Sequence, residues 1–133
     1  ATMPAASHFR HPMLSRIPPF VLRSTFIVAL VVIFVLAMIP LPMVPMVVAF
    51  QDKVEHCGAF AVLMLMGWAG WPSRGLWVAG GLVLYGLLIE VAQDQFTTNR
   101  VGEPMDWLAD SVGIAIGLGL IRRLAARQQP ESR

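Results

Sequence analysis

From Ser24 to Phe50 the chain reads STFIVALVVIFVLAMIPLPMVPMVVAF, and no residue in that stretch carries a charge. A helix crosses the hydrocarbon core of a bilayer with roughly 20 apolar residues, so this run predicts a membrane span. Pro40, Pro42 and Pro45 cannot continue a helix comfortably, which places the end of the span near Ile39. A cleavable signal peptide is the competing reading. It calls for a shorter apolar core and a small-residue cleavage site, and further apolar segments follow here.

Composition agrees. The chain has 133 residues, of which 56% are hydrophobic and only 14% charged, with a mean hydropathy of +0.66. That lies outside the range of soluble globular domains and suits one compact membrane unit. The single cysteine, Cys57, excludes an internal disulfide framework and any multi-cysteine metal site. No metal set is assigned from the sequence. Residues 1–20 form a polar, proline-punctuated leader too weakly basic for a nucleic-acid arm, so no nucleic-acid partner is expected.

Three more spans are expected. The second runs from Asp52 to about Gly70, and GWPSRG then makes a tight turn. The third runs from Gly75 to Asp94, and QFTTNRVGEP forms a loop. The fourth runs from Asp106 to about Leu124, with eleven uncharged residues between Asp110 and Arg122, and needs shielding by its neighbours. The fold expected is an all-α, four-helix membrane bundle over residues 21–124, with a cytoplasmic tail at 125–133. Orientation comes from arginine. Arg10, Arg16 and Arg23 precede the first span, Arg74 sits in the turn, and Arg122, Arg123 and Arg127 follow the fourth. The positive-inside rule then puts both termini in the cytoplasm and the 40–51 and 95–105 loops outside.

The acids gather at the outer end. Asp52 and His56, Glu90 and Asp94, and Asp106 and Asp110 each stand four residues apart. Four residues rise about 6 Å, close to one turn, so each pair shares a helix face. Asp52, Asp94 and Asp106 form a shallow tier, and His56, Glu90 and Asp110 a deeper one. Capping explains Asp52 and Asp106 as well as function does, because acids at helix N-termini are favoured by about 0.3–1 kcal/mol. Glu90 and Asp94 close a helix, where the same dipole opposes them. Lys53, Arg100, a bound cation or a cationic ligand would compensate. Intramembrane acids usually face a bundle interior and mark function, and Glu90 is the strongest candidate. His56 fits a general base, a metal ligand or a histidine tied to a carboxylate. Gln93, near Glu90, fits a ligand contact or a partner for a loop carbonyl.

Ala109, Gly113 and Gly117 place small residues at four-residue spacing, as in close intramolecular helix packing, and Gly80, Gly81 and Gly86 invite the same reading. Trp68, Trp71 and Trp77 flank Arg74 in the manner of an interfacial belt.

The order DKVEH opening one span, EVAQ closing the next, then Arg100, then DWLADSVGIAIG opening the last, resembles the VanZ-like family of small membrane proteins. The likeness covers about Asp52 to Gly117. It implies a multi-pass protein of the bacterial inner (cytoplasmic) membrane and a motif made of Asp52, Lys53, His56, Glu90, Gln93, Arg100, Asp106 and Asp110. Many members have Asn where this chain has Asp110, which adds a negative charge. The family is associated with glycopeptide (teicoplanin) resistance, so a link to glycopeptide susceptibility is an expectation.

Two functions compete. One is an outward-facing site for an envelope lipid or its headgroup, either amine-bearing or a phosphate bridged by a cation, with membrane lipids as partners. The other is a non-catalytic accessory subunit of a larger membrane complex, its polar cluster an internal clamp. In an enzyme Glu90 and His56 would be the acid/base pair, but no nucleophile stands out. A transporter fits less well, because no acid lies in the inner half of any span.

Overall fold

A computed structural model describes residues 16–39, 51–97 and 104–128. Those residues are all-helical, with four α-helices and no strand among them. They are α1 (Pro19–Met38), α2 (Gln51–Gly70), α3 (Gly75–Phe96) and α4 (Pro104–Gln128), with a 3-10 turn, Pro72–Arg74, between α2 and α3. The LPMVPMVVAF segment and most of the 95–105 loop, including Arg100, lie outside the described residues.

The helix ends follow from local chemistry. Pro19 opens α1, where a missing N–H costs nothing. α2 stops where Trp71 N–H bonds Gly67 O at 2.9 Å and Pro72 forbids continuation. α4 passes the expected end near Leu124 and continues to Gln128. Ala125 and Ala126 favour helix, and Arg127 in the last turn complements the dipole.

The helices alternate in direction and α2 lies at the centre, packed most extensively on α4, then on α1. Three polar ties fix α1 along its length. Arg23 Nε donates to Gly70 O at 2.9 Å, Tyr85 Oη to Leu30 O at 2.5 Å and Gln93 Nε2 to Ala37 O at 2.9 Å. The Arg23 guanidinium also sits 5.2 Å over the Trp71 ring, which meets Phe26 edge-on. Phe60, Leu63, Met64, Leu82, Ile89 and Ile114 fill the core.

α2 and α4 approach closely because glycine lines the seam. A Cβ at Gly113 would collide with the Cys57 carbonyl, and one at Gly117 would press on Met64 and Ala61. This is the intramolecular packing expected for that motif. The same expectation fails for Gly80 and Gly81, where a Cβ would meet nothing within 4 Å; Gly86 alone of the three packs tightly. Trp68 likewise departs from the belt reading. It is buried in the core beside Met64, whereas Trp77 is 80% exposed.

Two helical segments among the described residues, α1 and Pro72–Phe96, are long and apolar enough to cross a membrane. α2 and α4 do not reach that level; α2 carries Asp52, Lys53 and Glu55 near its start, and α4 carries Asp106 and Asp110 in its first two turns and Arg122, Arg123 and Arg127 toward its end.

Candidate functional site

The polar residues meet at one end of the bundle because three helix ends meet there. α2 and α4 both start at this end, and α3 finishes there. On α4, Asp106 and Asp110 continue the stripe of Gly113 and Gly117 that faces α2, so the close seam carries both acids inward.

In the shallow tier, Lys53 Nζ donates to Asp106 Oδ1 at 2.5 Å and to Asp52 Oδ2 at 3.0 Å, joining α2 to α4. Asp94 is exposed beside a cleft of about 220 Å³ lined by Leu87, Glu90, Val91, Pro104 and Trp107. Pairing with Lys53 gives Asp106 a contact beyond its place in the first turn of α4.

In the deeper tier, His56 Nδ1 lies 2.8 Å from Asp110 Oδ1, and its Nε2 lies 3.9 Å from Asp106 Oδ2. The imidazole thus sits between the two α4 carboxylates. Asp110 is 0% exposed, and Glu90 is buried on the facing side of α3. One ligand-capable atom each from His56, Glu90 and Asp110 lies within 4.8 Å of the others. Asp110 Oδ2 has no hydrogen-bond partner among the described residues. A buried acceptor left in that state costs about 1–3 kcal/mol, and more if charged.

Gln93 divides its two ends. Its amide nitrogen satisfies Ala37 O in the last turn of α1, a helix-end carbonyl, where the sequence leaves a ligand contact and a loop carbonyl as equal alternatives. Its Oε1 is buried without a partner among the described residues. The structure therefore brings together Asp52, Lys53, His56, Glu90, Asp106 and Asp110 and sets Gln93 at the edge, tied to α1. Arg100 lies outside the described residues.

Two tethers were not singled out by sequence reasoning. Trp107 Nε1 donates to Val83 O at 3.1 Å and holds α4 against α3 just below the acids. Tyr85 anchors α3 on α1 through Leu30 O. Tyr85 is the chain's one tyrosine and stands in an otherwise oily run, a signal that its hydroxyl needs a buried acceptor. No protein-family model, curated protein or solved structure matches the chain.

Proposed function

We propose that this chain is a four-span protein of a bacterial cytoplasmic membrane, similar to the VanZ-like family, whose outward polar end binds the headgroup of an envelope lipid. The observation that carries the reading is the convergence of His56, Glu90 and Asp110 from three helices beside a cleft of about 220 Å³ that Glu90 itself lines. Buried ionisable groups at a bundle end, with a cleft opening on one of them, Glu90, suit recognition better than packing.

Several features support four spans. α1 and α3 are sufficiently apolar alone. α2 and α4 hide their polar and glycine faces against each other and turn Val54, Val62, Leu108, Val112, Ile116 and Leu120 outward. Arg23 and Arg74 lie at the end opposite the acids, as the positive-inside rule requires for termini in the cytoplasm.

The ligand follows from charge. The charged groups that line the cleft are the carboxylates of Glu90 and Asp94. An amine-bearing headgroup, or a phosphate reached through a cation, suits it. Altered glycopeptide susceptibility is the cellular phenotype that the family likeness suggests. Native mass spectrometry of the gently extracted protein, wild type beside Glu90→Gln, tests the reading. A co-purifying lipid that the variant loses supports it, and a lipid retained equally by both proteins opposes it.

The accessory-subunit reading has its own observation. Lys53 with Asp106, and His56 with Asp110, tie α2 to α4, as an internal clamp would. A co-purifying protein, with no specific lipid, would favour that reading.

A further inference from the structure

We propose that His56, Glu90 and Asp110 form a binding site for a divalent transition-metal ion of the zinc or manganese kind. Each residue comes from a different helix, and the three candidate ligand atoms lie within 4.8 Å of one another. Ligand atoms around a bound zinc stand about 2.0–2.2 Å from the ion, and hence roughly 3.3 Å apart. The difference, about 1.5 Å at most, is of the size that side-chain torsions span.

An independent observation points the same way. Asp110 is 0% exposed, and its Oδ2 has no hydrogen-bond partner among the described residues. That oxygen is directed at α3 where Gly86, one turn before Glu90, leaves room: a Cβ there would stand 2.9 Å from it. The orphaned oxygen thus faces the helix face that carries the third ligand. Lys53 joins the shallow tier, where it donates to Asp52 and Asp106. A divalent ion would supply the contact that Asp110 Oδ2 lacks.

The donor set selects the metal. One imidazole and two carboxylates suit zinc, manganese or ferrous iron and disfavour a soft ion such as cuprous copper. Cys57 follows His56 in sequence but lines a separate groove on the outer side of α2 and α4, with Val54 and Leu108. Three protein ligands leave coordination positions open, as in sites where a metal meets an exchangeable ligand. The cleft beside Glu90 provides an approach. A headgroup phosphate would be a natural occupant of the open position, but the metal site rests on the three side chains and stands without the lipid.

Metal-stripped protein in detergent, equilibrated with zinc or manganese and freed of excess by gel filtration, gives the test through elemental mass spectrometry. The wild type should retain one ion per chain. Asp110→Asn and Glu90→Gln should each lose at least tenfold in affinity while circular dichroism stays helical. Glu55→Gln, an exposed carboxylate one residue before His56, should bind as the wild type does. No ion retained by folded wild type overturns the proposal, as does equal retention by Asp110→Asn. Cobalt added to the wild type is a second measurement that needs no variant. A visible spectrum of nitrogen and oxygen ligation is expected, and a thiolate charge-transfer band would move the metal to Cys57 and overturn the assignment. Native mass spectra of the same samples separate the two readings. Metal without lipid keeps this site and sinks the headgroup reading, and lipid without metal does the reverse.

Discussion

α1 and α4 both pack on α2, but by opposite means. α1 is apolar almost throughout and buries only Phe26 and Ala37, leaving Ile27, Val28, Val31, Val32 and Val35 exposed. Three polar ties to backbone carbonyls, at Gly70, Leu30 and Ala37, set its position. α4 is less apolar and buries a narrow stripe of Asp106, Asp110, Gly113, Ile114, Gly117 and Ile121. Its affinity for α2 comes from close backbone approach and paired charge. The contrast teaches that hydrophobicity tells which helix wants lipid, while small residues and acids tell which helix wants a protein neighbour.

Substitutions in the seam should break that contrast most. Gly113→Leu would drive a side chain into the Cys57 backbone, which cannot move aside without separating α2 from α4. A loss of about 3 kcal/mol or more is expected, visible as lost monodisperse protein on gel filtration. His56→Ala comes next. It strips Asp110 Oδ1 of its partner in a fully buried position, at about 1–3 kcal/mol, read as a lowered thermal midpoint in detergent. Gln93→Leu removes one tie between α3 and α1 and should cost about 0.5–1.5 kcal/mol, with α1 becoming more sensitive to protease in the same detergent. The smallest effect has the opposite sign. Gly80→Ala meets nothing within 4 Å and should stabilise α3 by about 0.5–1 kcal/mol, a small rise in thermal midpoint. A Gly80 variant as damaging as Gly113→Leu would erase the distinction between an open glycine and a seam glycine.

The helices were legible because their ends are punctuated. Pro19, the prolines after Ile39, Pro72 and Pro104 each sit at or beyond a boundary, and the charges of Asp52, Arg74 and Asp106 mark the same ends. The deeper tier was legible because a four-residue spacing puts two polar groups on one face, and three helices repeat it at matching depth. Side-chain reach was not legible. Gln93 lies near Glu90 on α3 yet spends its amide on α1, and a one-helix reading cannot reveal the carbonyl opposite. Nor does spacing separate Gly86 from Gly80, since only the approach of Asp110 and Trp107 makes one of them a contact. Trp68 illustrates the limit for aromatics. Its position near the turn suggested an interface, but packing on α2's neighbours buries it.

The central claim is that all four helices cross the membrane and leave the polar cluster at the outer face. Single cysteines at Ser73 and Asn99, introduced separately into Cys57→Ser protein, test it in whole cells with a membrane-impermeant maleimide. The account predicts that the Asn99 site labels in intact cells and the Ser73 site only after permeabilisation. Labelling of both sites from the same side, or of Ser73 alone from outside, would contradict it.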